Sequence, residues 1–188
     1  LGDVYKRQFI TMASELRVDK IIPTSGVPAT GGGGVVQVVH GTKSGEVTIT
    51  TTTFQDTGLT ATITPKFNTS KILVIIDQPY HMSRSTSKCG GGFKIFRNST
   101  AIATPNGTGS SGGTSPYACN YSVTGASYIG IIDRWSFMIL DEPASTSALV
   151  YKVQMACGNN SNSGRIRAQY SGTSGDQKGH IALLEISA

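Results

Sequence analysis

Apolar and polar positions along this chain follow a period of two, and a 3.6-residue period is scarce. VVQVVH, EVTITTTTF, LTATITP and KILVIIDQPYHM are short β-branched runs. Gly41, Lys43-Ser44-Gly45, Asp56-Thr57-Gly58, Pro65 and Asn68-Thr69-Ser70 punctuate them as turns. Val47 and Ile49 alternate with Thr, which predicts a half-buried antiparallel strand. Ile72 to Ile76 is apolar at successive positions, the pattern of a central strand covered on both sides. FKIFRNSTAIA predicts a hairpin that turns at Asn98-Ser99. Tyr128 to Asp133 and Trp135 to Leu140 read as two strands, the second stopped by Asp141-Glu142-Pro143. SALVYKVQMAC, GRIRAQY and HIALLEIS complete roughly ten strands, an all-β antiparallel sandwich. Two polar stretches, residues 83–92 (SRSTSKCGGG) and 104–125, interrupt the series and are expected to be long loops.

The preceding segment has a different character. SELRVDKIIPTSGVPATGGGG holds a short alternating stretch, Leu16, Val18 and Ile21, then Pro23, Pro28 and Gly31 to Gly34. The glycine run lacks the GxxxxGK[ST] pattern and no helical segment follows it, so it reads as a linker and not a phosphate loop. The first eight residues, LGDVYKRQ, correspond in one frame to the codons CTC GGA GAT GTG TAT AAG AGA CAG. That string resembles a transposon-end adaptor used in preparing sequencing libraries. No apolar core follows Lys6 and Arg7, so a signal peptide is not expected. The organisation expected is an adaptor-derived leader at 1–11, an arm and linker from Met12 to Gly34, and a sandwich at 35–188.

Charge and chemistry narrow the function. The 188 residues carry a net charge of +5; without Lys6, Arg7 and Asp3, fourteen basic and ten acidic residues remain. They are scattered, whereas a nucleic-acid groove gathers Lys and Arg on one face, so nucleic acid is not an expected partner. No apolar run reaches the roughly 18 residues that span a bilayer, and membrane insertion is not expected. Cys89, Cys119 and Cys157 are odd in number and contain no CxxC; three free thiols are expected, not a metal site or a Cys89–Cys119 bridge.

Catalytic patterns are missing. There is no GxSxG and no HExxH. His40 and His180 lie at the ends of apolar strands and read as structural histidines. Asp141 before Glu-Pro reads as a turn residue that bonds its own backbone. Asp77 and His81 would stand about 13 Å apart along a strand, too far to act as a pair. Neither a catalytic residue nor a cofactor is expected. Tyr80, Tyr128, Trp135, Phe137 and Tyr151 lie on or beside strands and are expected in the core or between subunits, Trp135 substantially buried. Tyr117 and Tyr121 sit in a Gly/Ser-rich stretch, where aromatics make adaptable recognition surface. Arg84 and Lys88 in the other stretch suit an anionic group.

Three segments in order carry a resemblance. DTGLTATITPKFNTSKILVIIDQP resembles the opening of the C-terminal β domain of tailed-phage and marine-virus fibre-like proteins. ILDEPASTSALVYKVQ resembles their later Asp-x-Pro-Ala turn and Tyr-Lys strand, and HIALLEISA their closing strand. SELRVDKIIPTSG is similar to the N-terminal arm of marine-phage virion proteins. The likeness covers most of residues 13–188 and is thinnest across 83–125. It implies a jelly-roll sandwich similar to the TNF and C1q heads, a homotrimer, and a place on a virion tail or appendage assembled in the host cytoplasm. It further implies an arm that joins other virion proteins and a head that contacts a host-surface glycan or protein. Tyr117, Tyr121, Arg84 and Lys88 are the candidate receptor-binding residues. The alternative is a secreted TNF/C1q-like or adhesin-like module of cellular origin, which the N-x-[ST] sequons at Asn68, Asn98, Asn106, Asn120 and Asn159 would suit.

Overall fold

The computed structural model describes residues 34–104, 118–170, 172 and 177–187. The leader, the arm and Tyr117 lie outside the described residues, as do the side chains of Ala118, Cys119 and Asn120. Among the described residues there is no helix, and eleven strands form two antiparallel sheets packed as a β-sandwich.

The first sheet is organised by β4 (Lys71–Arg84), with fourteen residues the longest strand. Along one edge it pairs with β8 (Ile129–Asp141) from Ile72 to Arg84. Along the other it pairs first with β11 (Gly179–Ile186) and then with β10 (Arg165–Ala168). β1 (Val35–Lys43) pairs with β11, and β2 (Val47–Ile49) with β10. Pro79 stands where the ladder passes from β11 to β10, a place for a residue without an N–H. Its carbonyl accepts from Gln169 N at 3.1 Å and Gln78 Nε2 at 2.9 Å. The second sheet runs β3 (Gln55–Ile63), β9 (Leu149–Cys157), β5 (Lys88–Arg97), β6 (Thr100–Ala103), with β7 (Ala118–Ser122) on the free end of β5.

The two inner faces supply the core: Ile72, Val74, Ile76, Ile181 and Leu183 meet Leu59, Ile63, Phe93, Ile95, Tyr151, Val153 and Met155. An aromatic column joins the layers. Phe93 stacks on Trp135 with centroids 4.5 Å apart, Trp135 on Phe137 at 5.3 Å, and Tyr80 meets Phe93 edge-on. Trp135 is buried as expected. Gly41 of β1 is required by close approach, because a Cβ there would stand 2.2 Å from Thr60 O of β3. The hairpin at Asn98-Ser99 is present, with Asn98 at φ 53 and Arg97 opposite Thr100.

Several expectations need correction. Residues 83–92 are not a loop: β4 runs through Arg84, β5 starts at Lys88, and Gly90 to Gly92 are buried mid-sheet between β9 and β7. Three glycines carry no side-chain pattern, so the pairing of both neighbours makes them a strand. The end of stretch 104–125 is β7, for the same reason. Gly41 and Asp56-Thr57-Gly58 are not turns; they lie inside β1 and β3, and the second is a bulge with Gly58 at φ 79. The two strands read across residues 128–140 are one continuous strand, β8. Asp141 is no self-capping turn residue: both its oxygens accept from Arg97 Nη1 at 2.8 Å, and Oδ2 accepts from Tyr151 Oη at 2.6 Å.

Candidate functional site

One end of the sandwich gathers the sequence-derived candidates. Antiparallel pairing sets Lys88 opposite Ser122 and Cys89 opposite Tyr121. The short arch from β4 to β5 brings Arg84 to the same end, where its Nε donates to Ser161 O at 3.1 Å. Backbone bonds fasten the segments: Ser85 N to Asn162 O at 2.8 Å, Val123 N to Ser87 O at 2.9 Å, and Gly158 N to Gly90 O at 2.8 Å. Asn162 and Ser163 adopt left-handed conformations, φ 50 and 57, which shape the tight turn at 158–164. Lys88 and Tyr121 are exposed and Arg84 is partly exposed. The result is a sandwich end with two cations, an open phenol and several amides and hydroxyls; Tyr121, opposite buried Cys89, and Lys88, opposite Ser122, take opposite faces of the sheet there. Tyr117 lies outside the described residues, so three of the four candidates are brought together.

Beneath this end lie Cys89 and Cys157, both free and buried. Burial pushes both thiols up; the neighbouring Cys157 adds to the effect at Cys89, and Arg84 opposes it. Neither thiol is poised to react, because the thiolate is the nucleophile. Among the described residues no group of three or more His, Cys, Asp and Glu could hold a metal ion.

The outer face of the first sheet was missed in the sequence. Cross-strand register makes two rows: Val38, Leu184, Leu73 and Leu140, then His40, Ala182, Ile75 and Met138. Val38, Met138 and Leu140 are 60, 63 and 50% exposed and Ile75 is 38% exposed. Ile132 continues the surface on β8. β4 is therefore central in its sheet, as read, but at Leu73 and Ile75 no described residue covers its outward side. The flanking charges are neutralised within the chain. Lys71 pairs with Glu142 at 2.6 Å, and Asp77 accepts from Nε and Nη2 of Arg134. The Arg134 bond holds the Asp77 carboxyl below its ordinary value against the opposing effect of burial.

Farther along that face, His81 stacks on Tyr170 at 4.3 Å, and Arg167 lies over the same ring at 5.2 Å. Burial, and then the charges of Arg167 and Arg165, push the His81 pKa down. Tyr128, expected in the core or between subunits, is exposed and is not a core residue, whereas Tyr80 and Tyr151 are. The alternation of β8 carries the signal for the open face: Trp135, Phe137 and Ile139 mark one side, Ile132, Met138 and Leu140 the other.

Comparison of the sequence with protein-family models and with curated proteins finds no match.

Proposed function

We propose that the chain is a non-enzymatic virion structural protein, a tail-fibre or appendage head that forms a homotrimer and contacts a receptor on the host surface. The observation that carries self-association is the apolar outer face of the β1-β11-β4-β8 layer. An uncharged surface this broad, four strands across, is uncommon on a chain that works alone. Its flanking charges are already paired internally, so it offers nothing specific to a charged partner. A second copy brings the same uncharged surface and is the occupant that fits; covering the exposed half of a leucine or methionine such as Leu140 or Met138 contributes about 1 kcal/mol. The strand order supports a jelly roll, because β3, β4, β5 and then β8, β9, β11 alternate between the sheets while the first strand pairs with the last. The likeness of three segments to fibre-like virion proteins supports the location, with the arm at 12–34 as the link to other tail proteins.

The receptor contact is assigned to the sandwich end bearing Tyr121, Lys88 and Arg84, together with Tyr117, and its ligand is a polar, anionic cell-surface glycan or protein. Light scattering of the full chain tests assembly: the expected mass is three times 19.7 kDa, and a stable monomer at micromolar concentration overturns the reading. Replacing Tyr117 and Tyr121 by Ser should leave that mass unchanged and weaken adsorption to host cells about thirtyfold, the effect of losing about 2 kcal/mol at an aromatic anchor. Unchanged adsorption by the folded trimer would remove this end from the receptor site.

A further inference from the structure

His40 and His180, read in the sequence as structural histidines, stand on the outer face of the first sheet as a pair. β1 and β11 run antiparallel, with His40 opposite Ala182 and His180 opposite Thr42, so the two imidazoles are diagonal neighbours. His180 Nδ1 and His40 Nε2 approach to 3.3 Å. The ring planes differ by only 10°, and the centroids are 5.4 Å apart. Centroids that far apart with nitrogens that close mean rings meeting edge to edge, so the in-plane electron pair or proton of each nitrogen points into the gap. We propose that this pair is a binding site for one first-row transition-metal ion of the zinc, nickel and copper group, held by the two imidazole nitrogens and otherwise by water.

The geometry fits that chemistry. Zn–N bonds of 2.0–2.1 Å at a tetrahedral angle place two ligand nitrogens about 3.3–3.4 Å apart. The backbone already holds the two nitrogens at that separation, so the rings need only tilt for both lone pairs to converge on one ion. Adjacent hydrogen-bonded strands fix the spacing, so the second imidazole binds intramolecularly and little chain entropy is lost. The donors are nitrogen only. Asp77, opposite His180 on β4, is occupied by Arg134, which also donates to Lys178 O at 3.2 Å. A site of neutral nitrogen donors favours zinc, nickel and copper over magnesium and calcium, which take oxygen. The proton balance is simple. With both rings neutral, one N–H occupies the gap; that proton moves to the other nitrogen of its own ring, and the ion enters with no net proton release. When the rings are protonated, each must give up a proton, so binding weakens on acidification.

Calorimetric titration of the full chain with ZnCl2, NiCl2 and CuCl2 tests the site. The chain has three histidines, and His81 is buried against Tyr170, which makes the controls clean. One ion per chain is expected, tightest for copper. His40→Ala and His180→Ala should each weaken binding on the order of a hundredfold, the gain from a second, pre-placed ligand. His81→Gln should bind as the parent does, and excess MgCl2 should not compete. Both alanine positions are on the solvent side, and circular dichroism verifies that the variants fold; His40→Gln keeps the size and should also lose affinity. Cobalt(II) should bind without a thiolate charge-transfer band. Absence of binding, parental affinity in either alanine variant, competition by magnesium or a thiolate band would each overturn the proposal. His40 stands in the row that the proposed assembly would cover, so light scattering of each variant accompanies the titration: lost affinity at the parental mass supports the site, and lost affinity that appears only with a changed mass overturns it.

Discussion

The two sheets turn similar faces to each other and dissimilar faces outward. On the second sheet the outward rows read Thr60, Lys152, Phe96 and Asp56, Gln154, Lys94. Lys152 and Gln154 both donate to Asp56, at 3.1 and 2.8 Å, while Lys94 and Lys152 extend over Phe54 and Phe96. The aromatic rings there are covered by cations of the same chain, and the polar groups bond one another. That surface is complete in water. The corresponding rows on the first sheet carry leucine, isoleucine, methionine and valine, with charges only at the margin. Equal backbone geometry thus yields one face finished by its own side chains and one that gains by being covered. A sheet's outward composition, and not its place in the sandwich, decides which side is available for association.

The contrast can be broken from inside one strand. Trp135 and Met138 both belong to β8 but point to opposite sides. Trp135→Ala should cost about 3–5 kcal/mol in denaturant unfolding, because it opens a cavity between Phe93 and Phe137. A loss under 1 kcal/mol would show that the aromatic column does not hold the layers together.

Next in size is Glu185, a buried carboxylate on the inner side of β11. It accepts from Gln37 Nε2 at 2.6 Å, Ser70 Oγ at 2.7 Å, Lys66 N at 2.7 Å and Phe67 N at 3.3 Å. Burial raises its pKa, and the four bonds together outweigh burial and hold it below the ordinary value of 4.5. A depressed folded value means that its contribution is present above pH 4.5 and is lost as the pH falls through the folded value. Glu185→Gln should cost about 1.5–3 kcal/mol at neutral pH and flatten the stability curve below pH 4.5. Parallel curves for the two proteins would remove Glu185 from the acid response.

Replacing Met138 and Leu140 together by Lys should abolish the proposed trimer in light scattering while changing the stability of the single subunit by no more than about 0.5 kcal/mol per position. A trimer that persists would move the association to another surface. Smallest is Lys152→Met on the second sheet. The pair with Asp56 is largely solvent-screened, so stability should shift by less than about 0.5 kcal/mol and the mass not at all. A change of mass here would end the distinction between the two faces.

Period-two alternation by itself determined the all-β class, most strands, the turn at Asn98-Ser99 and the burial of Trp135. Each depends on neighbours a few residues away, and side chains of a strand alternate whatever it pairs with. Arg84, Lys88 and Tyr121 were legible as candidates because polar stretches with isolated aromatics stand out from strands. That pairing with β7 and an arch between the sheets would gather them at one end was not legible. The apolar run at Ile72 to Ile76 read as covered on both sides, since a sequence marks which residues avoid water and not what shields them. Only the tertiary structure decided that one side of β4 is open around Ile75, that three consecutive glycines form a buried strand, and that Glu185 anchors residues 66–70. It alone sets His40 beside His180, 140 positions away in the chain. Pairs so distant are chosen by strand register, which the packing of the whole sandwich fixes and no local pattern encodes.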